Sequence, residues 1–518
     1  MTETSLKLKT ARTLKWNTID RVATQVLYAV VGVVLANMLS QEDFGLVGAL
    51  LVFQAFATIL TDSGLGAALL QKKDPTDADY STVFWVNLVL SVIIYAVLWI
   101  GAPLIPRIFR GAMLLIPLSK VMFLSFVING LAIVQVNKLM KRMDICQLAV
   151  ANILALTGSG VIGIWLALDG YGPWAMVWQN VSMALIKCTW LWLTGHWWPG
   201  RFHLDSLRSL WRVGISILST SALNTFCQHI YTFIIGVFYS MRDVGIYTQA
   251  DKWSKMGSAS ISQILTASFV PLLSRVQDDA EAFRRYVTRA NRFTAFILFP
   301  AMLGLTVVGA PLFHTLFGHK WDAAILLFQI LTVRGIFVVL ISLCTNYLLA
   351  LGYGRTIVVA EACKDSLMIL AIFATVFADS VPLLVWGQLI ASVLTYAVTL
   401  WLTCRHTPLR LRSMLTDLLP SFLLALLMSA AVLVLTHYLS TSLPTLLSTS
   451  LPALLSTISS SSNSPTLAPT LIHFLSPLLT LLLSIITGLT IYLLTARLIR
   501  LPELTDLTAY LRGRLSHP

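Results

Sequence analysis

Ser40-Gln41-Glu42-Asp43-Phe44-Gly45 returns 200 residues later as Ser240-Met241-Arg242-Asp243-Val244-Gly245, and each copy interrupts a long apolar run. A second motif also recurs, since Ala102-Pro103-Leu104 returns as Ala310-Pro311-Leu312. Turns repeated between apolar runs predict a repeated bundle of membrane-spanning helices. Duplicated bundles are common among secondary transporters, which hold the substrate where the two halves meet. We therefore expect a transporter.

The composition predicts an all-α polytopic membrane protein. Apolar residues form 57% of the 518 positions and charged residues 11%, whereas soluble proteins carry about 25% charged residues. Helices are the expected spanning structure because each one satisfies its own backbone hydrogen bonds in lipid. We count about fourteen apolar segments long enough to cross a bilayer: 16–39, 44–70, 81–102, 113–137, 145–168, 173–194, 209–239, 245–270, 290–313, 323–350, 356–378, 381–403, 418–438 and 471–496.

The repeated turns predict how the spans are grouped. Both turns follow an odd-numbered span, so they face the same side and the halves are parallel repeats related by an axis along the membrane normal. We expect two six-helix lobes, 1–194 and 209–403, joined by a cytoplasmic linker at 195–208. Two accessory helices occupy 404–518. Between them, the Ser- and Pro-rich segment 440–470 predicts a mobile periplasmic loop, followed later by a cytoplasmic tail.

Basic residues predict the orientation. The loops assigned to one side hold 26 of the 36 Lys and Arg residues, and the opposite loops hold four. The positive-inside rule therefore places both termini in the cytoplasm. We attribute the formal net charge of +13 to the basic residues that set the membrane orientation and attract anionic lipid. These charges are spread over separate loops rather than gathered into a nucleic-acid-binding surface.

Sequence motifs of enzymes and of cofactor-binding proteins are either absent from this chain or lie in the wrong structural context. Gly158-Ser159-Gly160-Val161-Ile162-Gly163 matches a dinucleotide-binding pattern, but it lies inside a predicted span, where small residues favour close helix packing. No zinc-protease or ATP-binding motif occurs, and the six cysteines and nine histidines show no ligand spacing. We predict no cofactor, no metal site and no enzymatic activity.

Polar residues recur at helical spacing within four apolar spans. The first and second spans are the repeat images of the seventh and eighth, and all four carry a polar stripe on one helix face. These stripes contain Asn17, Arg21, Gln25 and Tyr28 in span one; Gln54, Thr58 and Asp62 in span two; Ser216, Thr220, Asn224 and Gln228 in span seven; and Thr248, Asp251, Lys255, Ser258 and Ser262, with Lys252 adjacent, in span eight.

Charge at bilayer depth indicates a polar cavity. A charged side chain there costs at least about 2.5–3.5 kcal/mol, so such residues turn toward water or toward each other. Four striped helices would enclose a central cleft that Arg21, Lys252 and Lys255 make cationic, and Arg334 lies near mid-depth in its own span. Such a cleft suits an anionic substrate such as a phosphate or diphosphate.

Structural explanations compete at each position. Arg21 can extend to the cytoplasmic surface or pair with Asp20. Asp251 and Lys255, four residues apart, can neutralise each other, which leaves Lys252 as the uncompensated cation. The polar stripe of the seventh span can serve helix–helix packing. Glu361, Lys364 and Asp365 predict a structural ion-pair cluster.

A run of motifs resembles the Wzx-type polysaccharide flippases. The first half carries Leu14-Lys15-Trp16-Asn17, Asp20-Arg21, the stretch 39–48 and the stretch 62–69, followed by Ser81-Thr82-Val83-Phe84-Trp85-Val86-Asn87. Gly245-Ile246-Tyr247, Asp251-Lys252, Pro271-Leu272-Leu273-Ser274-Arg275, Trp321 and Leu349-Ala350-Leu351-Gly352 continue it. The resemblance is to the colanic-acid-transporter-like branch of the multidrug/oligosaccharidyl-lipid/polysaccharide superfamily, and it covers 14–403.

The resemblance implies a fold and a function. The fold is two six-helix lobes plus two helices, and the function is translocation of an undecaprenyl-diphosphate-linked oligosaccharide across the bacterial inner membrane by alternating access. Arg21, Lys252 and Lys255 become the implied diphosphate contacts, and Asp62 and Asp251 the implied ion-coupling residues. Membrane lipid and other polysaccharide-assembly proteins are the implied partners, with no nucleic acid.

Two other functions remain open from the sequence. An antiporter for cationic drugs belongs to the same superfamily, although it would favour an acidic, aromatic cleft over Lys and Arg. A membrane polysaccharide polymerase would usually need a structured external loop, whereas the long external segment of this chain is of low complexity.

Overall fold

The computed structural model describes residues 3–62, 64–195, 197–458 and 467–505. Within these ranges the description leaves out the side chains at 3–12, 14, 62, 223, 264, 267–268, 270–271 and 444–474. Every regular element of the described residues is a helix. The predicted all-α polytopic fold is thus confirmed.

Packing divides the chain into two units, Met1–Thr248 and Gln249–Pro518. The helices of the first unit are α1 (Glu3–Met38), α2 (Gln41–Asp62), α3 (Leu65–Gln71), α4 (Asp77–Gly101), α5 (Ile105–Ile108), α6 (Leu115–Met122), α7 (Leu124–Lys141), α8 (Ile145–Leu168), α9 (Pro173–Thr194) and α10 (Leu204–Phe238). Within this unit α1 packs on α8, α8 on α9, α4 on α7, and α10 on α2 and α3. The lobes predicted at 1–194 and 209–403 are sequence repeats rather than packing units, so their boundaries stay a prediction.

The second unit begins inside the next helix. Its helices are α11 (Met241–Ser274), α12 (Ala280–Val307), α13 (Gly309–Phe317), α14 (Asp322–Ala350), α15 (Gly354–Thr375), α16 (Val381–His406), α17 (Leu411–Ile458) and α18 (Leu467–Leu498). Here α12 packs on α17 and α14, α17 on α18, and α16 on α14 and α15.

Ten helical segments of the described residues are long and apolar enough to cross a membrane. The other four predicted spans also form helices, α9, α10, α11 and α15, of 22 to 35 residues. Polar side chains lower the mean hydropathy of α9, α10 and α11, whereas α15 differs by carrying three charged residues, Glu361, Lys364 and Asp365, in its apolar stretch. The described residues therefore contain ten apolar spans, and the count of fourteen spans stays a prediction.

The Gly-rich motif of α8 is a packing surface. A methyl group placed on Gly158 would lie 2.8 Å from Ile186 Cδ1 of α9, and one on Gly160 would lie 2.6 Å from Val31 Cγ2 of α1. Small residues here allow α8 to approach both neighbouring helices closely. The interpretation of this motif as helix packing is confirmed.

The repeated turns begin α2 and α11 with the same cap. Asp43 Oδ2 accepts hydrogen bonds from the backbone N–H and hydroxyl of Ser40 at 2.8 and 2.7 Å, and the Ser40 hydroxyl accepts from the Asp43 N–H at 3.0 Å. Ser240 and Asp243 repeat all three bonds, at 3.1, 2.6 and 3.2 Å. This reciprocal arrangement satisfies N–H groups that the first turn of a helix leaves unpaired. The Ser-x-x-Asp spacing is thus a helix-start signal.

The first turns of α2 and α11 contact each other through glycine, within the first unit. A Cβ on Gly45 would lie 1.6 Å from the carbonyl oxygen of Met241, and a Cβ on Gly245 would lie 1.8 Å from that of Gln41. The Arg242 side chain donates to Gln41 Oε1 at 2.6 Å beside this contact. The two copies of the motif therefore meet backbone to backbone, which only glycine permits.

Polar contacts attach the last two helices to α12. Arg292 Nε lies 2.9 Å from Asp417 Oδ1 on α17, and the Asp417 side chain is 3% exposed. The Tyr492 hydroxyl on α18 donates to the Phe296 carbonyl at 3.0 Å. Both bonds lie against an apolar core that α12, α14, α17 and α18 share. The predicted accessory pair is therefore an integral part of the second unit.

The segment 440–470 differs from the predicted mobile loop. Helix α17 continues through it to Ile458 and α18 starts at Leu467, while 459–466 lie outside the described residues. The prediction gave weight to Ser and Pro and too little to the leucines between them. Leucine is among the strongest helix formers, and its frequency here offsets the weak helix propensity of Ser and Thr.

Candidate functional site

Helix α1 exposes the four side chains of its predicted polar stripe. Asn17, Arg21, Gln25 and Tyr28 are all exposed. Within the described part of the chain, Arg21 makes no hydrogen bond or ion pair. The helix buries other positions instead, such as Val31 and Leu35. The stripe leaves the guanidinium of Arg21 available to a ligand.

Asp20, the neighbour of Arg21, has hydrogen-bond partners other than Arg21. Its carboxylate accepts hydrogen bonds from Asn152 Nδ2 on α8 at 3.2 and 3.3 Å, and from the Thr24 hydroxyl at 3.2 Å. The alternative that Arg21 is neutralised by Asp20 is therefore not what the structure shows.

A charged residue near Asp20 was not among the predicted site residues. Lys187 on α9 is half-buried and interacts electrostatically with Asp20. It has no hydrogen-bond partner within the described ranges. A lysine fourteen positions into an apolar helix was visible in the sequence, but its neighbours Asp20 and Asn152 come from distant segments that only the fold brings together.

The stripe of α2 faces the interior of the first unit in part. Gln54 Nε2 donates to Asn180 Oδ1 on α9 at 2.9 Å, and the Thr58 hydroxyl donates to the Gln54 carbonyl at 2.7 Å. Gln54 thus joins two helices. The side chain of Asp62, the first predicted ion-coupling residue, lies outside the described residues.

The stripe of α10 is exposed along four successive positions at four-residue steps. Ser216, Thr220, Asn224 and Gln228 are all exposed, and Gln228 Nε2 donates to Asn224 Oδ1 at 3.3 Å. Tyr231, three residues beyond Gln228, is only 1% exposed. The amides of Asn224 and Gln228 therefore form a small polar surface that ends where α10 enters the core.

Helix α11 carries an ion pair and a separate lysine. Lys255 Nζ lies 2.6 Å from Asp251 Oδ2, so the mutual neutralisation considered from the sequence does occur. Asp251 Oδ1 is buried without a hydrogen-bond partner in the described structure. Lys252 is half-buried, with Nζ 5.7 Å from the centre of the Trp253 ring.

Two further charged groups lie in the second unit, one joining two helices and one within a single helix. Arg334 Nε donates to the Ser392 hydroxyl on α16 at 3.2 Å, so the guanidinium joins α14 to α16. Lys364 pairs with Glu361 and lies 4.0 Å from Asp365 Oδ1. This second group is the structural ion-pair cluster that the sequence predicted.

The predicted site residues divide between the two units. The assembly of the site residues of both units into one cleft stays a prediction. Asn17, Arg21, Gln25, Asn224 and Gln228 belong to the first unit, and Lys252, Lys255, Asp251 and Arg334 to the second.

The second unit contains an apolar cavity of about 540 Å³ between α12, α17 and α18. Its walls include Pro300, Gly304, Met428 and Gly488, and its polar atoms are few. Glycine on two of its helices leaves space that larger side chains would fill. The cavity has the size and polarity of a site for an apolar ligand group.

The fold and these surfaces define a class. Many spanning helices, a duplicated helix start, polar stripes on apolar helices and an arginine with no partner among the described residues are properties of a polytopic membrane transporter.

Comparison with known proteins identifies the family. Residues 34–326 match the family described as "Polysaccharide biosynthesis protein", and the chain belongs to that family. It is 25% identical to the teichuronic acid biosynthesis protein TuaB of Bacillus subtilis over 79% of this chain and 85% of that protein. It is 26% identical to the lipopolysaccharide biosynthesis protein WzxC of Escherichia coli, over 64% and 68%. The resemblance to Wzx-type proteins is confirmed.

Solved structures show the same fold. The lipid II flippase MurJ in an inward closed conformation matches with a TM-score of 0.70 at 13% identity, covering 93% of this chain and 98% of that one. A multidrug resistance MATE family transporter of the MOP superfamily, in an inward-facing conformation, matches at 0.60 and 15%, covering 77% and 99%. The protein is a multi-pass membrane transporter of polysaccharide biosynthesis with the fold of that superfamily.

Proposed function

We propose that this protein translocates an undecaprenyl-diphosphate-linked oligosaccharide across the bacterial cytoplasmic membrane. The diphosphate and sugars pass through a cationic central cavity by alternating access of two lobes, 1–194 and 209–403. The lipid tail remains in an apolar environment throughout. The protein performs no catalytic step, so the glycan leaves with the same bonds with which it entered.

The guanidinium of Arg21, which has no partner among the described residues, carries this proposal. An arginine on an apolar helix normally gains a partner, because an unpaired charge in lipid is costly. Asp20 is adjacent in sequence, yet Asn152 and Thr24 occupy its carboxylate. A charged, unpaired donor on an exposed polar stripe is suited to an anion that comes and goes, and arginine binds phosphate oxygens with paired hydrogen bonds.

The remaining proposed contacts extend this surface. Asn17 and Gln25 lie one helical turn before and after Arg21, and they would hydrogen-bond to the diphosphate or to sugar hydroxyls. Asn224 and Gln228 offer the same chemistry on α10. Lys252, Lys255 and Arg334 supply positive charge from the second unit.

Ion coupling is assigned to Asp62 and Asp251. The support for Asp251 is its geometry, since one carboxylate oxygen binds Lys255 and the other is buried without a partner. Protonation or cation binding at this carboxylate would release Lys255, which would then be free to bind the substrate. The assignment of Asp62 depends on its position in the polar stripe of the second span.

The apolar cavity between α12, α17 and α18 supports a lipid-linked substrate. Its walls are almost entirely hydrocarbon, as in the residues Leu305, Val432 and Leu489. A polyprenyl chain can occupy such a space without leaving polar groups unpaired.

The proposed orientation places both termini in the cytoplasm, following the excess of Lys and Arg on that side. In this orientation 195–208 is a cytoplasmic linker. The partners would be membrane lipid, the lipid-linked oligosaccharide and other membrane proteins of polysaccharide assembly.

A sidedness assay tests the function directly. Purified protein is reconstituted into vesicles with a labelled undecaprenyl-diphosphate-linked oligosaccharide in one leaflet, and the label is followed with a reagent that cannot cross the membrane. We expect transfer with the native chain and loss with Arg21→Ala. Arg21→Lys should retain part of the rate, because lysine keeps the charge and loses the paired hydrogen bonds.

The matched control is Arg355→Ala, which removes an exposed arginine outside the proposed site. It should transfer at the native rate. Equal rates for Arg21→Ala and Arg355→Ala would refute the role of Arg21. Absence of transfer by the native chain, together with resistance to cationic drugs on overexpression, would favour the antiporter.

A further inference from the structure

Three side chains that the sequence analysis left without a role meet at one end of α14. His314 Nε2 lies 3.0 Å from Asp322 Oδ1, and His319 Nδ1 lies 3.2 Å from Asp322 Oδ2. The imidazole rings are 4.4 Å apart between their centres. One nitrogen of each histidine and a carboxylate oxygen all lie within 4.8 Å of one another. Two imidazoles therefore converge on the two oxygens of a single carboxylate.

The surrounding fold holds these three residues in place. Helix α13 ends at Phe317, and Gly318 takes a positive φ of 65° that reverses the chain. Phe317 and Trp321 are buried on the inner side of this turn, at 3% and 0% exposure. Because both aromatic anchors are fixed, the histidine on each side of Gly318 is directed toward Asp322 on the outer side.

Two imidazoles and a carboxylate form a common ligand set for zinc. Zinc binds imidazole nitrogen at about 2.0–2.1 Å in a tetrahedron, so neighbouring ligand atoms lie about 3.3 Å apart. Each imidazole nitrogen already lies at about this distance from one carboxylate oxygen, His314 from Oδ1 and His319 from Oδ2. The two nitrogen atoms need to approach each other by at most about 1.5 Å, which rotation of the exposed His319 side chain can supply.

We propose that His314, His319 and Asp322 form a binding site for a divalent transition metal, with zinc the preferred ion. The three residues occupy three positions of the tetrahedron, and the fourth faces solvent, where it holds water or an anionic oxygen. Their spacing, H-x4-H-x2-D, is unlike the short zinc motifs because a glycine turn, rather than one helix, brings the ligands together. The site is separate from the proposed translocation residues.

The competing explanation is that Asp322 only holds the turn through two hydrogen bonds. In that case substitution would change stability equally with and without metal. Zinc binding distinguishes the two explanations, and it is measured on purified protein without any glycan. Failure of this proposal is therefore distinguishable from failure of the proposed transport function.

Metal competition provides the test. The full chain is purified in detergent with a tag that contains no histidine, stripped with a chelator and titrated with zinc chloride against a chromophoric zinc indicator. We expect one zinc per chain. His319→Ala and Asp322→Asn should weaken binding by at least about 100-fold, because loss of a mere supporting contact already costs 10–100-fold.

His437→Ala is the matched control, since it removes an exposed histidine of the same unit that is not part of the cluster. It should bind zinc as the native chain does. Zinc should also raise the melting temperature of the native chain and of His437→Ala, but not that of His319→Ala. Zinc binding that survives His319→Ala unchanged, or a native chain that takes up no zinc, would overturn the proposal.

Discussion

Replacing Gly45 with alanine tests the contact between the two repeated helix starts. The new Cβ would lie 1.6 Å from the Met241 carbonyl oxygen, and real Cβ contacts are almost never shorter than 3.0 Å. The two backbones must therefore separate by at least 1.4 Å, the difference between these two distances. Neither side can relieve the clash by rotating a side chain, because both partners are main chain.

The magnitude follows from two opposing effects. Overpacking costs up to about 3 kcal/mol, and a clash between backbones belongs at that end of the range. Alanine favours the helix over glycine by about 1 kcal/mol. The net loss is about 2 kcal/mol. In a packing unit of 248 residues this corresponds to a melting temperature about 4 °C lower.

The assay is the loss of monodisperse protein after heating in detergent. Gly245→Ala should behave in the same way, because its Cβ would lie 1.8 Å from the Gln41 carbonyl oxygen. Gly101→Ala is the matched control, since no atom lies within 4 Å of the position that its new methyl group would take, and its φ is −75°. It should melt at or slightly above the native temperature. If Gly45→Ala melts as high as Gly101→Ala, the reasoning is wrong.

Three further predictions concern charged groups. Arg292→Ala leaves the buried Asp417 carboxylate unpaired and should lower the free energy of unfolding by about 2 kcal/mol. This loss is below the range for a fully buried pair because Arg292 is 46% exposed. A melting temperature equal to that of the exposed control Arg284→Ala would contradict this. Lys255→Ala and Asp251→Asn should show a coupling of about 1 kcal/mol in a double-mutant cycle of thermal stability, and strict additivity would exclude the ion pair. Hydrogen bonds from the Ala282 and Glu281 backbone N–H groups hold the pKa of Asp279 below its usual range, with Arg285 contributing. The stabilisation by the Asp279 carboxylate is therefore complete above about pH 3.9 and is lost as the pH falls through the lower folded pKa. The melting-temperature difference between Asp279→Ala and the native chain should therefore narrow in acid. A difference that is constant with pH would refute the role of the carboxylate.

Sequence patterns predicted the helices well because lipid permits few alternatives. Long apolar runs in a bilayer must be helical, and the Ser-x-x-Asp turns at 40–43 and 240–243 are local signals that need no tertiary information. The error at 440–458 has a different cause. Leucine recurs through this segment and is a strong helix former, so it offsets the weak helix propensity of Ser and Thr.

Pairing of polar residues was less predictable. The Asp251–Lys255 pair lies within one helix, so its spacing alone indicates contact. Asp20 has its partners on α8 and α9, at Asn152 and Lys187, and no spacing rule connects three separate helices. The cluster of His314, His319 and Asp322 was missed for a related reason, because the turn at Gly318 changes which residues share a surface.

The glycine contact between α2 and α11 has a consequence for how the two halves of this chain can diverge. Elsewhere, a larger residue in one half can be accommodated by a smaller one in the other. At Gly45 and Gly245 no compensating substitution is possible, because glycine cannot be replaced by a smaller residue. The two glycines are therefore constrained together, although three neighbouring positions of the motif, 41, 42 and 44, already differ from 241, 242 and 244.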